Sequence, residues 1–214
     1  MSDYAAVLWD LDGTIVDTEP MWIASEHALA AEHGAVWTHE DALQLVGNSL
    51  IGSGEYIRTR LNLDLTAEQV VDYLVTRLVA ALMSAEIPWR PGAVELINDL
   101  AERSVPQALV TMSYRAIAAP IADMLPFAAV VTGDAVPRPK PHPDPYLLAA
   151  ERLGVDPERC LAIEDSSTGA ASASAAGCTV VVVPHMVSVP EGPRRVFLSS
   201  LEGVTPEILF SQAW

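Results

Sequence analysis

The sequence predicts an α/β protein in which a doubly wound parallel sheet carries an inserted α-helical domain. A short apolar run at 5–11 ends in a polar loop, as a buried strand does. Residues 20–87 then show only helical patterns, and from residue 93 onward helices alternate with short apolar runs. Alternation of this kind produces right-handed crossovers and parallel strands. The 214 residues allow one such domain with a modest insertion.

The insertion follows the first strand and contains no strand candidate. Its predicted helices lie at 19–33, 38–47, after the segment GSGEY, and 66–86. Thr38 and Asp41 have the spacing of a capping box, which marks the start of the second helix. Thr66 is a suitable N-cap for the fourth helix. We therefore expect a small bundle of helices between the first strand and the rest of the sheet.

The second half of the chain supplies the remaining strands. These are predicted at 107–111, 128–132, 160–163 and 179–183, with helices at 93–103, 116–124, 145–153 and 168–176 between and before them. Thr205 and Pro206 have the residue types of an N-cap and a first helical position, so they predict a short final helix. The predicted sheet thus has five strands.

Charge and composition limit the classes of partner. The net charge is −16, and a field of this sign repels DNA, RNA and anionic lipid. We therefore expect neither a nucleic-acid partner nor a membrane partner. The N-terminal segment has acids where a signal peptide has basic and apolar regions, which predicts a cytoplasmic protein. Cys160 and Cys178 are interpreted as buried structural cysteines.

Polar residues follow the ends of four predicted strands. They are Asp10, Asp12, Gly13 and Thr14 after the first strand, Thr111 and Ser113 after the second, Lys140 after the third, and Glu164 and Asp165 after the fourth. Ligands of open parallel sheets bind beyond the carboxyl ends of the strands, so we expect these residues to form one site. Clustered carboxylates repel one another unless a hard cation holds them, and oxygen ligands suit Mg²⁺. The strand ends therefore predict a magnesium site.

Magnesium, a lysine and a strand-end hydroxyl together suit a phosphoryl group. The metal and the ammonium neutralise its oxygens, while Thr111 and loop N–H groups donate hydrogen bonds. A carboxylate such as Asp10 can attack phosphorus, and Asp12 can protonate the leaving oxygen and later activate water. Lys140 is the only lysine beside eleven arginines, which favours a functional role for it. For Glu164, helix capping is the alternative to metal binding.

Four segments, in order, resemble the motifs of haloacid dehalogenase-like (HAD) phosphohydrolases that carry a small helical cap. DLDGTIVDTEP resembles the first motif, LVTMS the second, RPKPHPDPY the third and IEDSSTGAASASAAG the fourth. The resemblance covers nearly the whole chain. It implies a Rossmann-like catalytic core formed by residues 1–17 and 90–214, with residues 18–89 as the cap domain.

The resemblance also implies roles for the acids. Asp10 would be the nucleophile and Asp12 the general acid and base. Mg²⁺ would be bound by Asp10, the backbone carbonyl of Asp12, and Asp165. Glu164 would lie in the same coordination shell or one water away.

The implied phosphate-binding residues are Thr111, Met112 and Lys140. Met112 departs from the pattern, because many relatives have a small or amide residue after the hydroxyl; its backbone N–H can still bind phosphate. For the cap side of the site, we expect substrate contacts from Glu19, Trp22, Asn48 and Ser49. Each of these four has an alternative interpretation as a helix start or a cap core residue.

Among the reactions of the family, the residues favour phosphate-ester hydrolysis through an aspartyl phosphate. Dehalogenase members lack the second acid, which is present here as Asp12. Phosphonate-cleaving members need a cap lysine, and residues 20–87 contain none. We therefore predict a Mg²⁺-dependent, monomeric phosphatase whose partner is a small phosphorylated metabolite, a sugar or polyol phosphate.

Two alternatives remain. The first is a β-phosphoglucomutase. Such mutases have a histidine at the position that aligns with Trp22 and an arginine at the position that aligns with Leu50. Both substitutions disfavour a mutase, although Arg58 and Arg60 lie further along and keep that alternative open. The second alternative is a non-catalytic phosphate-binding module, which the complete set of acids disfavours.

Overall fold

The structure, a computed structural model, describes residues 4–84 and 86–212. Within these residues the strands are β1 (Ala6–Trp9), β2 (Gln107–Val110), β3 (Ala129–Val131), β4 (Cys160–Glu164), β5 (Thr179–Val182) and β6 (Arg195–Phe197). They form one sheet in the order β3-β2-β1-β4-β5-β6, and every neighbouring pair is parallel. The predicted doubly wound parallel sheet is confirmed.

In the part of the chain that the structure describes, five helices lie between β1 and β2, single helices follow β2, β3 and β4, and one helix follows β6. They are α1 (Glu19–Glu32), α2 (His39–Leu43), α3 (Leu50–Arg60), α4 (Ala67–Ser84), α5 (Ala93–Glu102), α6 (Arg115–Ala122), α7 (Asp144–Leu153), α8 (Ser167–Ala176) and α9 (Pro206–Gln212). Short 3₁₀ turns lie at Gly133–Ala135 and Pro157–Arg159. No helix among the described residues is both long and apolar enough to cross a membrane.

The hydrophobic core lies on both faces of the sheet. Strand β1 is buried along its whole length, with Trp9 and Leu8 contributing to clusters on opposite faces. A strand buried on both faces has a continuous apolar sequence, and this explains the run at 5–11. The central place of β1 brings the loop after it between the ends of β2 and β4.

The sixth strand was not predicted. Residues Arg195–Phe197 pair in parallel with β5 at the edge of the sheet and are partly exposed. A three-residue edge strand that contains a charged side chain has no hydrophobic alternation, so its pairing depends on the neighbouring strand and not on its own sequence.

Helices α1, α3 and α4 of the insertion share a hydrophobic cluster of their own, to which Trp37 and Leu45 on either side of α2 also belong. The prediction that α3 follows GSGEY was wrong, because α3 begins at Leu50 and includes that segment. Ser49 caps it by accepting a hydrogen bond from the N–H of Gly52. Gly54 lets α3 approach α4 closely: a Cβ there would lie 2.5 Å from the carbonyl oxygen of Ala67.

Two predicted helix starts are confirmed by hydrogen bonds. Thr38 and Asp41 form a reciprocal capping box at α2, although α2 ends at Leu43 instead of near residue 47. Thr66 and Gln69 exchange equivalent hydrogen bonds at the start of α4. The division into a core of residues 1–17 and 90–214 and a cap of residues 18–89 stays a prediction.

Candidate active site

A cavity lies at the carboxyl ends of β1, β2 and β4, beneath helices of the insertion. From the sheet side it is lined by Asp10, Asp12, Met112, Ser113, Lys140, Asp165 and Ser166. From the insertion it is lined by Glu19, Trp22, Glu26, Ala42, Leu45, Val46, Gly47, Asn48, Leu50, Ser53 and Leu74. The parallel sheet therefore brings five of the predicted strand-end residues to one cavity, namely Asp10, Asp12, Ser113, Lys140 and Asp165.

The loop after β1 turns sharply at Gly13. This residue has φ +83, a conformation that favours glycine. A Cβ on Gly13 would lie 2.2 Å from Oδ2 of Asp165. The missing side chain thus allows the β1 loop to approach the end of β4 and to pack directly against the carboxylate of Asp165.

Lys140 lies at the centre of the acidic groups. Its Nζ donates hydrogen bonds to Oδ1 of Asp10 at 2.7 Å, Oε1 of Glu164 at 2.6 Å and the carbonyl oxygen of Val110 at 2.9 Å. Its side chain is only 2% exposed. Burial disfavours the charged ammonium, but the two carboxylates outweigh burial and raise the pKa of Lys140 above its ordinary value. Lys140 is therefore a buried cation whose three donors are all used.

Glu164 is held by three donors of the chain. Oε1 accepts from Lys140 and from the hydroxyl of Tyr146 at 2.5 Å, and Oε2 accepts from the hydroxyl of Ser166 at 3.2 Å. A Cβ on Gly169, in the first turn of α8, would lie 2.0 Å from Oε2. Only glycine at this position therefore leaves room for the carboxylate of Glu164. These contacts indicate that Glu164 positions Lys140.

Asp165 has a different environment. Its Oδ2 is buried and accepts no hydrogen bond from the described residues. Burial, reinforced by Asp10 and Glu164, raises the pKa of Asp165 well above its ordinary value. An unpaired buried carboxylate oxygen is unfavourable unless a cation or a proton satisfies it.

The three acids meet the geometric requirement for a cation site. One carboxylate oxygen from each of Asp10, Glu164 and Asp165 lies within 4.8 Å of the others. A donor set made of oxygen atoms, with one oxygen lacking a partner, fits a hard divalent cation.

Asp10 is 6% exposed and faces the cavity. Burial raises its pKa to about 7; Glu164 and Asp12 act in the same direction, and Lys140 opposes them. Oδ1 is bound by Lys140, whereas no described residue donates a hydrogen bond to Oδ2. The carboxylate is therefore held at one oxygen and available at the other.

Asp12 accepts hydrogen bonds from four side chains. The hydroxyls of Ser113 and Thr111 contact Oδ2 at 2.8 and 3.1 Å. The hydroxyl of Thr18 contacts Oδ1 at 2.6 Å, and the indole N–H of Trp22 contacts the same oxygen at 3.4 Å. Trp22 therefore touches a predicted acid as well as lining the cavity.

The predicted phosphate-binding residues have different environments. Lys140 and Met112 line the cavity, but Thr111 does not, because it is fully buried and its hydroxyl contacts Asp12. The sulfur of Met112 accepts a hydrogen bond from the backbone N–H of Lys140 at 3.3 Å. Through this contact Met112, the residue that departs from the pattern of the second motif, helps to hold the loop that contains Lys140.

Among the predicted contacts from the insertion, Glu19, Trp22 and Asn48 line the cavity. Ser49 lies outside the lining and caps α3. Sequence reasoning missed Glu26, which lies seven residues after Glu19 on the same helix and also lines the cavity. The i, i+7 spacing was visible in the sequence, but nothing there distinguished an inward-facing acid from a surface acid.

Tyr146 was also missed. Its hydroxyl binds Glu164, and its ring centroid lies 5.2 Å from the ammonium of Lys140. The residue is the last of the third motif, but an aromatic residue on a helix is usually a core residue.

A family model described as haloacid dehalogenase-like hydrolase matches residues 4–177. The chain belongs to this family. The resemblance expected from the four motifs is thereby confirmed.

Similar proteins agree with this assignment. Hexitol phosphatase A of Escherichia coli is 34% identical over 212 residues, covering 92% of each chain. Protein CbbY of Rhodobacter capsulatus is 33% identical over 195 residues, covering 84% of this chain and 85% of the relative. The structure of CbbY from Rhodobacter sphaeroides in complex with xylulose-(1,5)bisphosphate has a TM-score of 0.82 at 27% identity, covering 94% of this chain and 96% of that one. The predicted enzyme class, a HAD-type phosphatase, is confirmed by the family match and by the phosphatase relative.

Proposed function

We propose that this HAD-type enzyme hydrolyses a small sugar or polyol phosphate, with Mg²⁺ as cofactor and an aspartyl phosphate on Asp10 as intermediate. The observation that carries the proposal is the constellation of Asp10, Asp12, Lys140 and Asp165 on the floor of one cavity. A relative named hexitol phosphatase, similar over 92% of both chains, supports the substrate class.

In this proposal, Asp10, Asp165 and the backbone carbonyl of Asp12 hold Mg²⁺. The unpaired Oδ2 of Asp165 supports its place among the ligands. When bound, Mg²⁺ neutralises charge on the phosphoryl oxygens and on the acids. Because both oxygens of Glu164 already accept hydrogen bonds from the chain, Glu164 acts by holding Lys140.

The residues of the chain perform two displacements. Oδ2 of Asp10 attacks phosphorus, the ester P–O bond breaks, and Asp12 gives a proton to the departing alcohol oxygen. Water then attacks the aspartyl phosphate while Asp12 takes a proton from it, which releases phosphate and restores both carboxyl groups. The N–H of Met112 donates a hydrogen bond to a phosphoryl oxygen, and the buried ammonium of Lys140, next to Asp10, stabilises the phosphoryl group through its positive charge.

Removal of divalent metal is expected to abolish phosphatase activity. The enzyme should release phosphate from p-nitrophenyl phosphate with Mg²⁺ present, lose that activity in EDTA and regain it when Mg²⁺ is added in excess, since the acids need a cation before they can receive a phosphate. Undiminished turnover in EDTA would contradict the metal assignment. Absence of turnover under all conditions would support the phosphate-binding module instead.

The identity of the product distinguishes a hydrolase, which releases phosphate, from a mutase, which forms glucose 6-phosphate. A mutase must hold a second phosphate, but Leu50 gives the cavity an apolar side chain, and Arg58 and Arg60 do not line it. Arg58 is paired with Glu55, and Arg60 with Asp41. We expect the enzyme supplied with β-glucose 1-phosphate and a trace of the bisphosphate to form no glucose 6-phosphate in excess of released phosphate. Faster formation of glucose 6-phosphate than of phosphate would establish the mutase.

A further inference from the structure

One wall of the cavity is formed by three residues of α1, namely Glu19, Trp22 and Glu26, which we call the cap wall. They lie at positions i, i+3 and i+7, so they share one face of the helix. Trp22 contacts Asp12 through its indole N–H, and Glu26 lies one helical turn further along α1. Glu26 therefore lies beside the part of a substrate that extends away from the phosphate.

Glu26 is an unusual member of this wall. It is 4% exposed, so it is more than nine-tenths buried, and it nevertheless lines the cavity. Its Oε2 accepts a hydrogen bond from the indole N–H of Trp37 at 2.9 Å, whereas no described residue donates to Oε1. The buried carboxyl group thus has one oxygen held by the cap and the other without a partner from the chain.

Neither acid of the cap wall is paired with a cation among the described residues. Burial raises the pKa of Glu19 to about 8 and that of Glu26 to about 7. Lys140 is the only basic residue in the described lining, and its three donors are bound to Asp10, Glu164 and Val110. The outer part of the cavity therefore has carboxyl groups and nothing basic.

This arrangement discriminates between substrates by charge. A buried polar group is costly unless a hydrogen bond satisfies it, and a hydroxyl or an ammonium on the substrate supplies the donor that Glu26 lacks. A carboxylate or a second phosphate at the same place would lose its water without gaining a cation, and the ionised fraction of Glu19 and Glu26 would repel it, so both effects lower its affinity.

We propose that the cap wall selects phosphate monoesters whose alcohol part carries hydrogen-bond donors and no second negative charge, with Glu26 as the specificity-determining residue. This inference rests on the proposed phosphatase function, because the phosphate end of the substrate is placed at Asp10 and Lys140. It excludes bisphosphates and phosphorylated sugar acids as good substrates.

The test uses substrates that differ at one group. Glucitol 6-phosphate and 6-phosphogluconate differ only in whether C1 is a hydroxymethyl group or a carboxylate, and fructose 1,6-bisphosphate provides a second phosphate. Glucosamine 6-phosphate, compared with glucose 6-phosphate, separates an ammonium donor from a hydroxyl donor. The kcat/KM is measured for wild type, and dissociation constants are measured by calorimetry with Asp10→Asn, so that binding is measured even without turnover.

We expect glucitol 6-phosphate to be preferred over 6-phosphogluconate by at least about tenfold in both measurements. The assays are run at about pH 8.5, above the pKa of about 7 of Glu26, so that its carboxyl group is ionised. In Glu26→Gln, which keeps an acceptor for Trp37 but loses the charge, this preference should fall by about fivefold or more. The matched control is Glu40→Gln, an exposed acid of the same cap outside the cavity, which should keep the wild-type preference.

Equal kcat/KM values or equal affinities for the matched pair in wild type would overturn the inference, and so would an unchanged preference in folded Glu26→Gln. If Glu26→Gln does not fold, the wild-type comparison decides alone. Loss of turnover with p-nitrophenyl phosphate would count against the proposed function only, because the binding constants still report the selectivity.

Discussion

Asp10→Asn is expected to lower kcat for any phosphate ester by at least about 10⁴-fold while the protein stays folded. An amide is not a nucleophile, and it is a poorer ligand for a hard cation than a carboxylate. The fold should persist because the amide oxygen can still accept the hydrogen bond of Lys140. The change also removes one negative charge from a group of acids in which burial, together with repulsion from Glu164 and Asp12, raises the pKa of Asp10.

The measurement is phosphate release in the presence of Mg²⁺, with circular dichroism to verify folding. Asp64→Asn provides the matched control, since it makes the same chemical change at an exposed position between α3 and α4, and its kinetics should equal those of wild type. Robust turnover by a folded Asp10→Asn variant would contradict the assignment of Asp10 as nucleophile.

Lys140→Arg is expected to reduce kcat/KM by about 10²- to 10³-fold, although the charge is kept. The ammonium places three donors on Asp10, Glu164 and Val110 from one nitrogen. A guanidinium is planar and larger, so it cannot reproduce these directions in a site where the side chain is 2% exposed. Overpacking should also lower the free energy of unfolding by about 1–3 kcal/mol.

Steady-state kinetics and chemical denaturation check this result. Arg138→Lys is the reverse exchange in the same loop, at an exposed residue paired with Asp144, and should leave kcat/KM unchanged. Wild-type kinetics for Lys140→Arg would show that the single lysine of the chain has no catalytic part.

The core of the fold was predictable because its signals are local. The buried run before Asp10 and the alternation after residue 93 each identify an element from its own residues. The rule that ligands bind at the carboxyl ends of parallel strands then predicts that Asp10, Lys140 and Asp165 lie together. Failures occurred where an element depends on a neighbour, as β6 depends on β5.

Whether a glycine belongs to a helix also depends on the neighbouring elements, so the sequence does not settle it. The segment GSGEY was expected to precede α3, because glycine disfavours helices when it is considered alone. In the structure, Gly54 belongs to α3 because the helix packs closely against α4, and only the bundle determines that approach. Gly169 similarly appears as an ordinary motif residue until the carboxylate of Glu164 is found beside it.

The fold class, the order of the motifs and the acids that meet at the sheet edge follow from the sequence, because periodicity and strand ends are properties of consecutive residues. Which oxygens remain unpaired depends on the folded chain. Glu164 and Asp165 are adjacent in sequence, yet the first is bound by Lys140, Tyr146 and Ser166, and the second keeps a free buried oxygen. Hydrogen-bond satisfaction depends on groups distant in the chain, so the environments of Asp165 and Glu26 could be assigned only after folding had placed their neighbours.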